Sequence, residues 1–184
     1  MKGFTKRIEV TCIDSPQCVV IGKEREQMTA RIDLAKVAPG VYQAMFGLEK
    51  YLHECGLETS LLGLVRMRAS QINGCAFCLD MHSKDARAAG ETEQRLYLLN
   101  GWREAPCYSE RERAALAWTE AMTLIADNHV SDEIYDDVRQ HFSDKELVNL
   151  SLAIVAINGW NRLAISLRSE VGWYRPGMLD AMWK

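Results

Sequence analysis

Leu147 to Asn161 is a run of fifteen residues without a charge. Wound at 3.6 residues per turn, it is apolar nearly all round, so it cannot rest on a surface with one face in water. It must be buried on several sides, at the centre of a helical bundle or between subunits. Ser143-Asp144-Lys145-Glu146 stands in front of it with the spacing of a capping box, and the helical pattern continues to Arg168. A membrane span needs about 20 apolar residues. This run is shorter and carries Asn149, Ser151 and Asn158, so the sequence predicts no span.

From Met28 onward every periodic segment is helical. Val41, Met45, Leu48 and Leu52 recur at helix spacing after Pro39, and Gly56 stops them. Leu61, Leu62, Val65, Ala69 and Ile72 form the next stripe, closed by Asn73-Gly74, a pair suited to a left-handed cap. A helix from Cys75 to Ala89 ends at Gly90, and Thr92 caps a short one with Leu96 and Leu99. Ser109-Glu110-Arg111-Glu112 is a second capping box, ahead of Ala114, Trp118, Ala121 and Met122. Ser131 opens a helix with Ile134, Val138 and Phe142. The fold class is all-α, with residues 28–184 as one helical domain.

Residues 1–27 read differently. Arg7 to Ile13 and Gln17 to Ile21 are rich in Val and Ile around Asp14-Ser15-Pro16, the pattern of a β-hairpin that would set Cys12 near Cys18. Lys2, Lys6 and Arg7 are followed by Glu9 and Asp14, which interrupt any signal-peptide core. A cytoplasmic location is therefore expected, and the six cysteines are not a disulfide framework. A net charge of -3 without a Lys/Arg cluster argues against a nucleic-acid partner.

The chemistry concentrates in Cys75-Ala76-Phe77-Cys78-Leu79-Asp80-Met81-His82. Because Asn73-Gly74 breaks the preceding helix, both cysteines fall in the first turn of a new one. Backbone N–H groups there lack helical partners and the dipole favours an anion. A thiol is pulled toward neutrality at such a place, and the thiolate is the nucleophile. Cys75, Cys78 and His82 share one face, with His82 four residues after Cys78. Structural zinc is the first competing reading, with His53 or Cys55 completing the set, but no second paired motif exists. Haem attachment needs a histidine where Leu79 stands. A pair of buried inert thiols is the third reading. Nearness to the helix start favours Cys75 as the thiolate, while nearness to His82 favours Cys78.

Arg68-Ala69-Ser70-Gln71-Ile72-Asn73-Gly74-Cys75-Ala76-Phe77-Cys78, then His82, resembles the carboxymuconolactone decarboxylase superfamily, and within it the alkylhydroperoxidase AhpD-like core. The likeness runs from about Met28 to Arg168 and includes Ile157-Asn158-Gly159-Trp160-Asn161-Arg162. It implies an all-α AhpD-like bundle, assembled as a trimer or hexamer, that reduces peroxides with no metal and no cofactor. It also implies that Cys78 is oxidised first, that Cys75 donates a proton and resolves, and that His82 belongs to the proton relay. An external thiol reductant would close the cycle.

Two positions depart from the family pattern. Twelve residues before Cys75, where its peroxidases carry a relay glutamate, this chain has Gly63. Between the cysteines it has Phe77 in place of histidine. Slow turnover at neutral pH, rising toward alkaline pH, is the expectation. The alternatives are a thiol–disulfide reductase or redox sensor, and a non-catalytic binding module. Glu58, His53, His129 and His141 read as surface or capping residues, and Cys55 and Cys107 as core thiols. Trp160 and Asn161 read as pocket lining or packing.

Overall fold

Residues 29–178 of the computed structural model are described here, and they contain helices, turns and loops with no strand. The helices are α1 (Leu34–Val37), α2 (Pro39–His53), α3 (Thr59–Asn73), α4 (Ala76–Ala88), α5 (Glu93–Leu98), α6 (Glu110–Thr123), α7 (Ile125–Asn128), α8 (Asp132–His141) and α9 (Asp144–Leu167). A 3₁₀ turn, Leu99–Gly101, follows α5. The expected hairpin, with Cys12 and Cys18, lies outside the described residues.

Local signals place the ends. Both predicted capping boxes form in full: Ser109 with Glu112 starts α6, and Ser143 with Glu146 starts α9. Gly74, at φ 68°, ends α3 in the left-handed conformation, which a glycine adopts without a Cβ clash. That turn resets the chain so that Cys75 caps a new helix.

α3 and α9 are the paired centre. α3 also packs on α4 and α6, while α9 also meets α2, α4 and α6. Leu52, Val65, Ala115, Leu150 and Ile154 meet in the main core, each under 2% exposed. Burying one such large side chain stabilises the fold by about 1.5–3 kcal/mol. A second core holds Leu64, Leu96, Leu99 and Leu116 under Trp102. Glu120 ties α3 to α6 there. Its carboxylate accepts from Arg68 and from Trp102 Nε1, both at 2.8 Å, and pairs with Arg103 at 2.5 Å.

At 24 residues, α9 is long and apolar enough to cross a membrane by length and composition alone. Its contacts with α2, α3, α4, α6 and α8, and its buried Asn149, Asn158 and Asn161, make it the central helix of the bundle. Val148 and Val155, two turns apart, remain exposed on its outer side.

Candidate active site

Cys75 is the N-cap of α4, with extended backbone, and its Sγ accepts the N–H of Cys78 at 3.4 Å. A sulfur here does what a serine hydroxyl does at an ordinary cap. Cys78 lies one turn into the helix. Both thiols are 1% exposed, packed with Ala69, Ile157 and Ala164, and flanked by Phe77 and Trp160.

The two sulfurs are not equivalent. The hydrogen bond from Cys78 is the largest influence on Cys75 and outweighs the cost of burial. The backbone N–H groups of Cys78 and Phe77 and the Asn161 amide act the same way, bringing Cys75 down to about 7. Cys78 goes the other way. Its hydrogen bond to Cys75, burial, and the negative charge on Cys75 hold its proton well above the usual thiol range. At pH 7 about half of Cys75 is ionised, beside a Cys78 that keeps its proton.

A buried amide network backs the pair. Asn73 Nδ2, at the end of α3, donates to Asn158 Oδ1 at 2.9 Å and to Asn161 Oδ1 at 2.8 Å, both on α9. Asn161 Nδ2 donates to Ser70 Oγ at 3.1 Å, and Asn158 Nδ2 to Thr123 Oγ1 at 3.0 Å. With its oxygen occupied, Asn161 can present only N–H to the sulfurs, and it favours the ionised form of each.

His82 departs from expectation. It lies on α4 a turn beyond Cys78, yet among the described residues no hydrogen bond joins it to either cysteine. Burial first, then the Arg66 charge, push its pKa down to about 3, so it is neutral at physiological pH. Arg66 is held by Glu49 at 2.7 Å, and Glu49 also accepts from Trp160 Nε1 at 3.2 Å. Gly63 is open: a Cβ added there meets no atom within 4 Å. The expectation that Cys78 is oxidised first came from the resemblance and from its nearness to His82. The lowered Cys75 favours that sulfur instead, through the Cys78 thiol hydrogen bond first and the cap N–H groups after it.

Among the remaining expectations, Trp160 both packs against the cysteine cluster and stacks edge-on with Tyr42 and Phe46. Cys55 packs on the main core and Cys107 on the second, so neither approaches the pair. Glu58, exposed at the start of α3, pairs with Arg111. Sequence reasoning missed Asn73 and Ser70. Their only signal was a polar residue on a helix that is otherwise apolar on that side.

The carboxymuconolactone decarboxylase family profile matches residues 39–121, from α2 to α6 and across both cysteines. The uncharacterized protein YdfG of Bacillus subtilis is 44% identical over 140 residues, covering 76% of this chain and 95% of that protein. The chain belongs to the carboxymuconolactone decarboxylase family. Its fold is AhpD-like. ATU0492 of Agrobacterium tumefaciens, a protein of unknown function provisionally assigned to antioxidant defence as AhpD, is 45% identical with a TM-score of 0.77. That match covers 79% of this chain and all of the other. The debrominase Bmp8 shares the fold at a TM-score of 0.67 and 23% identity, over 73% of each chain. The family profile stops at residue 121, before α9, so Thr123, Asn158 and Asn161 of the amide network lie beyond it.

Proposed function

We propose that the protein is a thiol-dependent peroxidase that reduces organic or hydrogen peroxides through Cys75 and Cys78. The observation that carries this reading is the polarised dithiol: two buried sulfurs one helical turn apart, one brought down to about 7 and the other pushed up. The Cys75 thiolate attacks the outer peroxide oxygen and the O–O bond breaks. The alkoxide that leaves takes the proton of Cys78, giving an alcohol, a sulfenic acid on Cys75 and a thiolate on Cys78. That thiolate attacks the Cys75 sulfur, and hydroxide leaves to become water with the proton Cys75 released earlier. Two thiols and one peroxide thus give one disulfide, one alcohol and one water. An external thiol reductant restores the pair. His82, neutral and beyond Cys78, serves in this reading to pass protons toward solvent.

Val148 and Val155, exposed on an apolar central helix, support a homo-oligomer. Light scattering at micromolar concentration should report more than one subunit, and a monomer would remove that part of the reading. For the reaction, the reduced protein is mixed by stopped flow with a peroxide series and thiols are counted afterwards. Two thiols lost per peroxide, from Cys75 and Cys78, is the expected result. Peroxide that leaves both cysteines reduced would refute the proposal.

A further inference from the structure

We infer that Trp173 is a door over the dithiol, the residue that sets how large a molecule can reach Cys75 and Cys78. The inference deepens the peroxidase reading, which needs a reductant to reach a sulfur. Thiol–disulfide exchange requires the attacking thiolate to meet the sulfur directly. Both sulfurs are 1% exposed, so some side chain must move first.

The back of the site is a poor candidate for that movement. It is closed by α3 and α9, the paired centre of the bundle, and by the asparagine network. The front is closed differently. After α9 ends at Arg168, residues 169–178 run back as an irregular strap to α4. Gly172 N–H donates to Asp80 Oδ2 at 3.2 Å, and Lys84 Nζ donates to the Tyr174 carbonyl at 3.2 Å. The Tyr174 hydroxyl meets the Asp85 carboxylate at 2.9 Å, and Tyr174 itself is 2% exposed. These contacts pin the strap on either side of one residue.

That residue is Trp173. It is 52% exposed, and its ring lies over Phe77 with centroids 6.0 Å apart and planes at 31°. Phe77 stands between the two cysteines and packs against their cluster. Trp173 also meets the Tyr174 ring edge-on, with centroids 6.3 Å apart, but Tyr174 is held by Asp85 and Lys84, so it can stay buried while Trp173 swings. Gly172, at φ +99°, supplies a backbone turn beside it that a residue with a Cβ would resist. A pinned strap with one half-exposed ring over the site separates small visitors from large ones. A small peroxide slips past Phe77, whereas a bulky thiol reagent waits for Trp173 to leave.

The test compares two maleimides, N-methylmaleimide and the much larger N-pyrenylmaleimide, on the reduced full-length protein. Adducts at Cys75 and Cys78 are followed by mass spectrometry, which separates them from the other cysteines. An aromatic pair of this kind shifts an opening equilibrium by about 3- to 10-fold. Trp173→Ala should therefore raise the large-to-small rate ratio by about that factor, and Trp173→Phe should return it toward the starting value. Tyr174→Phe, which loses the Asp85 contact, should raise the ratio as well. A ratio unchanged in Trp173→Ala overturns the inference, and so does an equal acceleration with both reagents. Because the readout is thiol modification, a protein without peroxidase turnover would still decide the question.

Discussion

Which sulfur attacks first can be worked out from the two perturbed thiols. Cys75 stands at about 7, while Cys78 is pushed above its ordinary value of 9.0, so the pair is at least two pKa units apart. Each unit costs the weaker acid tenfold in thiolate. Nucleophilicity rises with basicity only at a Brønsted slope of about 0.4–0.5, returning roughly threefold per unit. Over two units, a hundredfold loss is set against roughly a tenfold gain, and Cys75 leads by about tenfold. In the wild-type protein, one equivalent of peroxide with a sulfenic-acid trap, quenched within the first turnover, should label Cys75.

Cys78→Ser is the matching variant, because the serine hydroxyl can still donate to the Cys75 sulfur. It should trap a sulfenic acid on Cys75. The rate should be half-maximal near pH 7, falling below it as Cys75 takes a proton and levelling off above it. This revises the expectation of slow turnover at neutral pH that rises toward alkaline pH, since the Cys78 thiol and the cap N–H groups already ionise about half of Cys75 at pH 7. Wild-type label on Cys78 with none on Cys75 would refute the reasoning, as would a rate still climbing tenfold per unit above pH 8.

Gly63→Glu has room at its Cβ and replaces a helix glycine, so it should fold at least as well as the parent. If a carboxylate there assists the proton relay, peroxide turnover at pH 7 should rise, by up to about 10²-fold; an unchanged rate would show that the relay is not limiting. Asn161→Leu removes the amide from both thiols and leaves Asn73 and Ser70 without that partner. The midpoint of Cys75 alkylation should move to higher pH, and chemical denaturation should show a loss of about 1–3 kcal/mol. Glu120→Ala leaves Arg68 with Gln71 and Asn100 and leaves Trp102 Nε1 without its acceptor, and should cost about 1–3 kcal/mol in thermal unfolding without moving that alkylation midpoint.

Much of the fold was legible because its signals are local. A capping box is read from four consecutive residues, and both were found where the sequence put them. Asn73-Gly74 marked a helix end, and with it the start of α4 and the cap position of Cys75. The lowered thiol followed from the same turn. What the spacing could not show is the surroundings of His82. Helix spacing predicts a shared face, but it says nothing of where a side chain finds charge, and the Arg66 guanidinium comes from α3. The amide network was equally invisible, since Asn73 meets Asn161 across 88 residues and no periodicity encodes that pairing. The strap of residues 169–178 has no helical repeat to detect, and its ties to α4 are single long-range hydrogen bonds.

The amide network also bears on what Gly63 removes. A glutamate–histidine relay activates a thiol by taking its proton, so its effect varies with its own protonation. An asparagine amide does not titrate. Asn161 and the first-turn N–H groups favour charge on Cys75 at every pH, while burial and that charge keep the proton on Cys78. The Cys78 thiol, the largest influence on Cys75, thus acts beside fixed dipoles that need no reorganisation when the peroxide arrives, the condition under which electrostatic stabilisation is strongest. Attack does not require a carboxylate base in such a site, because about half of Cys75 is already ionised at pH 7 and the acid for the leaving alkoxide stands beside it. A relay matters afterwards, when the disulfide is reduced and two sulfurs must share one proton again. On this argument the missing glutamate should slow the return to the dithiol more than the attack on peroxide. A Gly63→Glu variant that accelerates the first turnover as much as the steady state would contradict it.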